Sequence, residues 1–179
     1  MTPVLETERL LLRRLELSDA LRVQTLAGDY QVARTTLTMP HPYPDGAAAE
    51  FILRTQQEMA EGSAYPFAIA LKSENQLIGV VGLHPRHDYQ RAEIGYWIGV
   101  PYWNKGYATE AARRVLRFGF EELKLHRIHA AHFTNNPASG RIMQKIGMQY
   151  EGTFRQHFIR FGDFMDVAYY AILRSEWSR

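Results

Sequence analysis

The hydrophobic positions of this chain switch between a period of two and a period near four, and the switches mark out its elements. Positions 7–17 alternate apolar and polar residues around Leu10, Leu12 and Leu15, which predicts a first strand. Ser18-Asp19 stands before a helical run over 20–26 and reads as its cap. Pro40, Pro42 and Pro44 force a loop. Asp45 then reads as the cap of a helix that passes through Ala47 and Phe51 to about Glu61 and stops at Gly62. Residues 65–72 and 76–84 form a hairpin turning at Ser73-Glu74-Asn75, and residues 91–100 add a third strand. A long amphipathic helix over 105–123, a strand over 127–134 and a short helix over 136–146 stopped by Gly147 follow. Two strands bent at Phe161-Gly162-Asp163 end the pattern. No repeat, linker or low-complexity stretch interrupts it. The order predicts an α/β (α+β) fold, a mixed sheet flanked by helices, in a single domain over 1–179.

Composition narrows the class. A chain of 179 residues with 46% hydrophobic residues can bury a sizeable core without splitting. The net charge of +2 is spread along the chain with no Lys/Arg block, so direct nucleic-acid binding is not expected. The absence of cysteine removes disulfides, thiolate metal sites and a cysteine nucleophile. Met1-Thr2-Pro3-Val4-Leu5-Glu6 lacks the basic-then-apolar run of a leader, and no apolar stretch approaches membrane-spanning length. The expectation is a soluble, cytoplasmic protein with no membrane partner.

The chemistry concentrates in Tyr102-Trp103-Asn104-Lys105-Gly106-Tyr107-Ala108-Thr109-Glu110-Ala111, which leaves a strand and enters the long helix with no room for a capping loop. Such a helix start offers unpaired N–H groups and the positive end of its dipole, a cradle for linked phosphates. Gly106 lets the backbone approach closely, and Ala108 and Thr109 are too small to block it. The bland alternative is an ordinary strand-to-helix turn.

This run resembles a variant of the loop that binds the coenzyme A pyrophosphate in the GNAT superfamily of N-acetyltransferases, patterned Gln/Arg-x-x-Gly-x-Gly/Ala. Gly106 and Ala108 match its last two fixed positions, while Trp103 stands where Gln or Arg is commoner. Within the superfamily the chain is similar to the ribosomal-protein N-terminal acetyltransferases, the Rim type. The likeness runs from Thr7-Glu8-Arg9-Leu10-Leu11-Leu12-Arg13 to Tyr169-Tyr170-Ala171-Ile172-Leu173. It implies a mostly antiparallel sheet with strands splayed at the acetyl-CoA site, acetyl-CoA as cosubstrate, no metal, and a homodimer as one arrangement. By the same resemblance Asn104, Lys105, Gly106, Tyr107, Ala108 and Thr109 bind the phosphates, and the strand edge at Trp97, Ile98, Gly99 and Val100 takes the pantetheine arm. An N–H near Trp97 or Ile98 would polarise the thioester carbonyl, a donor of the kind that contributes about 2.7–4 kcal/mol to a barrier.

A second segment, Asn136-Pro137-Ala138-Ser139 through Lys145-Ile146-Gly147-Met148, is read physically as a capped helix with Pro at its first position and Gly at its end. It is similar to the GNAT stretch whose Asn and Ser lie beside the pantetheine arm and the sulfur. Where many relatives place a proton-donating Tyr, seven residues after the Asn, this chain has Met143. The resemblance therefore leaves Ser139 as the donor that stabilises the leaving thiolate.

Period two places Glu93, Gly95, Trp97 and Gly99 on one strand face, with the two glycines permitting a bulge or a splayed edge. A carboxylate there is either satisfied by a neighbouring Arg (Arg91 or Arg86) or is a general base tuned by partial burial. Its position resembles that of the base in several GNAT enzymes. Four residues of strand span about 13 Å, so Glu93 would act through water on an amine near Trp97. His84 is the reserve candidate for the base. His129 and His132, three apart on a strand, face opposite sides and cannot share a metal. For the acceptor, the resemblance places the loop around Thr38 to Tyr43 and the turn around Gln156 to Asp163 as channel walls, with Tyr43, Phe158, Phe161 and Phe164 as lining or as packing. A protein N-terminal amine, a small-molecule amine (polyamine, amino acid or antibiotic), or no acceptor at all in an acetyl-CoA-sensing module are the readings left open.

Overall fold

The computed structural model describes residues 3–177. Met1 and Thr2, where the leader reading begins, lie outside the described residues. The strands form one eight-stranded sheet in the order β1-β2-β3-β4-β5-β6-β8-β7. They are β1 Leu5–Glu6, β2 Leu10–Arg13, β3 Tyr65–Leu71, β4 Gln76–Arg86, β5 Arg91–Ile98, β6 Arg127–Phe133, β7 Gln149–Arg160 and β8 Asp163–Leu173. The helices are α1 Ala20–Ala27, α2 Tyr30–Ala33, α3 Ala47–Glu61, α4 Tyr107–Glu121 and α5 Pro137–Lys145. Every neighbouring pair of strands is antiparallel except β5 and β6. A parallel pair needs a crossover, and α4 supplies it. No helix among the described residues is long and apolar enough to cross a membrane.

Helices cover both faces of the sheet, which explains why β3 and β4 read as nearly continuous apolar runs. One core packs Ala111, Val115, Leu116 and Phe118 of α4 and Met143 of α5 against Phe67, Val81, Leu83 and Ile94. The other packs Val23, Leu26 and Ala27 of α1 and Ala48 and Ile52 of α3 against Ala68, Leu77 and Val80. At Gly119 a Cβ would lie 2.7 Å from Ile128 Cδ1, so α4 rests closer to the sheet than any other residue would allow.

Several elements depart from the expectation. Within the first alternating stretch only Leu10–Arg13 is a strand, preceded by the two-residue β1, and Leu17 falls in a 3-10 turn. Asp19 does not cap α1 with its side chain. It instead takes both terminal nitrogens of Arg13, at 2.8 and 2.9 Å, in a buried bidentate pair. Asp45 does not cap α3, whose N-cap is Gly46; its carboxylate accepts from Gln24 Nε2 at 3.1 Å. The third strand ends at Ile98, and Val100-Pro101-Tyr102 forms a 3-10 turn begun by the proline. Of the bulge or splayed edge that Gly95 and Gly99 permit, β5 shows no bulge against β4. Its register with β4 runs unbroken from Arg91 to Ile98.

Candidate functional site

The opening in the sheet lies between β5 and β6. They pair only from Arg91 to Glu93 against Arg127 to His129, although β5 continues to Ile98 and β6 to Phe133. Beyond Glu93 the two strands diverge, leaving a wedge with one backbone edge unsatisfied by the sheet. The Gly99 N–H donates to Ile78 O at 2.9 Å. Antiparallel alternation then commits the N–H groups of Trp97, Gly95 and Glu93 to β4 and turns those of Ile98 and Tyr96 toward the wedge. Of the two oxyanion donors considered from sequence, Ile98 therefore has the free direction. Its carbonyl is held by Trp103 Nε1 at 2.7 Å, so Trp103, in place of the commoner Gln or Arg, pins the strand end.

The wedge runs into the N-terminus of α4. Gly106 takes φ +80°, a left-handed conformation that favours glycine, and no side chain caps the helix there. The first helical bond runs from Glu110 N–H to Gly106 O at 3.0 Å, which leaves the Tyr107, Ala108 and Thr109 amides at the free end. Asn104 also sits at positive φ, +59°, which Asn tolerates. Arg9, given no role by the sequence reading, braces this loop. Its Nη1 donates to Lys105 O at 2.9 Å, its Nε to Glu110 Oε2 at 2.7 Å, and its guanidinium lies over the Tyr107 ring. Burial alone would raise the Glu110 carboxyl, yet hydrogen bonds from Thr7 and Arg9 and the Arg9 charge hold it below its ordinary value.

A single cavity of about 1130 Å³ links this cradle to the α3 side of the sheet. Of the residues expected from sequence, Glu93, Trp97, Ile98, Asn104, Gly106, Tyr107, Ala108, Thr109, Asn136 and Ser139 line it together. Lys105, Gly99 and Val100 are not on its wall. The Lys105 ammonium lies over the Tyr102 ring, and Gly99 exists to admit Leu26, whose Cδ2 would be 2.7 Å from a Cβ there. Asn136 holds the first position before α5, its side chain makes no capping bond, and the residue lines the cavity. Ser139 follows in the first turn of α5, with its Oγ 3.1 Å from the Tyr96 hydroxyl. Tyr96 was not singled out from sequence. The available signal was a phenol on the core-facing side of an apolar strand, which needs a partner.

On the opposite face Glu93 stands across from His84 in the β4–β5 register, and both line the cavity. The Glu93 side chain is 58% exposed, so the partial burial expected of it is not found. Neither Arg91 nor Arg86 satisfies it. Arg91 lies over the Tyr89 ring, and the nearest cationic partner of Glu93 is His129 Nε2 at 3.9 Å, beyond hydrogen-bond reach. Burial holds the His129 pKa below its ordinary value despite Glu93, so the imidazole is neutral at neutral pH and leaves the carboxylate free. Burial and the Glu93 charge together raise the Tyr169 phenol, which borders the same space.

Above Glu93 the wall is built by one stripe of α3, with Phe51, Arg54 and Glu58, and by Tyr43 and residues 35–40. Phe158 completes it, whereas Phe164 is 63% exposed and outside the lining. Phe161 serves differently: its ring stands 5.6 Å from Tyr30 and 6.4 Å from His41. Beside it Arg160 Nη2 donates to Ala33 O at 2.7 Å and to Met39 O. The terminal hairpin is thereby clasped to the loop after α2. A second recess, about 720 Å³ under the irregularity in β7, holds none of the candidate catalytic or cofactor residues; Gln156 and His157, expected among the acceptor-channel walls, line it instead of the main cavity.

Comparison with known proteins places this geometry. The family description "Acetyltransferase (GNAT) domain" matches residues 9–149. An uncharacterized N-acetyltransferase of Bacillus subtilis is 35% identical over 177 residues, covering 96% of this chain and 98% of that protein. A GNAT-family acetyltransferase structure from Bacillus anthracis superposes with a TM-score of 0.86 at 34% identity, covering 97% of this chain and 100% of that one. The ribosomal protein uS5-alanine N-acetyltransferase of Escherichia coli is 26% identical, over 97% of this chain and 92% of its own.

Proposed function

The chain belongs to the GNAT family of acetyltransferases and is an acetyl-CoA-dependent acyltransferase; from that premise we propose that it acetylates the N-terminal amine of a protein by direct attack in a ternary complex. The observation that carries the reading is the continuity of the wedge between β5 and β6 with the uncapped start of α4 on one side and the Glu93 face on the other. The amides of Tyr107, Ala108 and Thr109 hold the pyrophosphate, with Arg141 and Lys145 of α5 adding positive charge along the same wall. The Ile98 N–H meets the thioester oxygen as it becomes an oxyanion. Glu93, through water, takes the proton of the attacking amine; the N–C bond forms, the C–S bond breaks, and the thiolate departs beside Ser139 and Asn136. The uS5-alanine enzyme, similar over nearly the whole chain, supports a protein N-terminus as the acceptor.

A second reading, a small-molecule primary amine, is favoured by the clasp at Arg160, because walls tied together admit a slender ligand more readily than a folded surface. Residues 1–179 are taken as one catalytic domain, in keeping with a single sheet running from Leu5 to Leu173. A homodimer is supported by the apolar exposure of Phe154, Ile159 and Phe164 on the terminal hairpin, and sedimentation velocity tests it. The acceptor is tested by coenzyme A release with N-terminal peptides, polyamines, amino acids and amine-bearing antibiotics side by side. Turnover with peptides bearing small first residues supports the main reading, turnover confined to the small amines replaces it with the second, and binding without turnover of any kind would leave a sensing module.

A further inference from the structure

We propose that Tyr96 is a positioning residue that sets the direction of the Ser139 hydroxyl hydrogen, and through it the stability of the departing coenzyme A thiolate. This rests on the acetyl-transfer reading above and deepens it at the sulfur.

The need is plain in the sequence of α5. Met143 has no proton to offer and is 2% exposed, packed in the core. Ser139 is left with one hydrogen, and a serine hydroxyl turns freely unless something fixes it. The Tyr96 oxygen stands 3.1 Å from Ser139 Oγ and 3.2 Å from the Ser139 carbonyl oxygen. Two arrangements fit these distances. In one, Tyr96 donates to the Ser139 carbonyl and Ser139 donates to Tyr96, which uses up the hydrogen. In the other, Tyr96 donates to Ser139 Oγ, and the Ser139 hydrogen is released toward the cavity.

Neutral acceptors balance the two. Negative charge growing on sulfur favours the second, because a hydrogen bond to an anion is about twice as strong as one to a neutral group. The Ser139 donor is therefore recruited as the C–S bond breaks, which is when stabilisation accelerates the reaction. Burial pushes the Tyr96 phenol up to about 12, so it keeps its proton at every working pH and acts as a donor, not as the acid. The thiolate leaves as an anion and takes its proton from water. The positive end of the α5 dipole, at Ala138 and Ser139 on the same cavity wall, adds to the effect.

The experiment compares coenzyme A with desulfo-coenzyme A, which lacks the sulfur, by calorimetry from about pH 7 to about pH 10, a range that spans an ordinary thiol pKa. In the unsubstituted enzyme the preference for coenzyme A over the desulfo compound rises about tenfold across that range. In Tyr96→Phe and in Ser139→Ala it stays flat, while desulfo-coenzyme A binds all three proteins equally. His132 and Arg141 border the same space and are unchanged throughout, so their contribution is common to all three proteins and cancels in the comparison. In turnover, Tyr96→Phe lowers kcat about tenfold without moving KM for acetyl-CoA, and the double variant is no slower than Ser139→Ala alone. An unchanged pH-dependent preference in Tyr96→Phe would overturn the proposal, as would equal losses for both ligands, the mark of packing alone. Should Tyr96→Phe fold poorly, a preference persisting in Ser139→Ala overturns it as well. Failure of the unsubstituted protein to bind either compound would remove the acetyl-transfer reading itself.

Discussion

The proposed mechanism gives Glu93 proton removal and Gly106 a part in phosphate binding, and each role can be tested alone. Glu93→Gln keeps the size and removes the base. Its kcat is expected to fall by about 10²–10⁴, with the acetyl-CoA dissociation constant unchanged. Unaltered turnover with a true acceptor would transfer the role to His84, which faces it across the strands. Gly106→Val places a branched side chain at φ +80°, with its Cβ 3.4 Å from Arg9 Nη2. Acetyl-CoA binding should weaken by at least tenfold by calorimetry, since left-handed backbone costs a β-branched residue about 1–2 kcal/mol or more and disturbs the amides it precedes. The places of Gly106 and Ser139 on the cavity wall were legible in the sequence, the first from local loop chemistry and the second from the family resemblance. Tyr96, Tyr169 and Arg9 were not, because their roles are fixed by partners 43 residues away in the first case and about a hundred in the last.

The elements followed the hydrophobic pattern closely wherever one face or both are buried, as in β3, β4 and α4. Sequence reasoning failed where a polar residue beside a helix had a choice of partners. Asp19 and Asp45 both looked like caps, yet Arg13 and Gln24 claimed them through tertiary contacts that no local pattern contains. The Arg13–Asp19 pair ties the second strand to the turn before α1, and Asn75 Oδ1 accepts from Arg13 Nε at 2.8 Å to complete it. Burial alone would raise Asp19, but hydrogen bonds from Arg13 and the Glu16 N–H, with the Arg13 charge, hold it low. Asp19→Ala leaves a buried guanidinium unpaired and should cost about 3–5 kcal/mol in urea unfolding. Because the folded pKa is depressed, the stabilisation is complete above the unfolded value of about 3.9 and is lost as pH falls through the lower folded one. The gap between wild type and Asp19→Ala should accordingly narrow in acid; a gap independent of pH would contradict the pairing.

At the scale of the molecule, the design is a sheet opened by one parallel pair. The crossover helix that parallel pairing demands is the same helix whose free end we propose as the phosphate cradle, so on this reading topology and cofactor site have a common cause. The sheet class and helix order could be read from the chain, whereas the divergence of β5 from β6 was expected only through the family resemblance, which implied splayed strands, since it depends on where pairing stops. The central claim is that acetyl-CoA lies in that divergence. A crystal structure of the complex tests it most directly. The account predicts the pyrophosphate within hydrogen-bond distance of the Tyr107, Ala108 and Thr109 amides and the thioester oxygen on the Ile98 N–H. Acetyl-CoA bound elsewhere, or a wedge left empty beside Gly106 at saturating ligand, would contradict it.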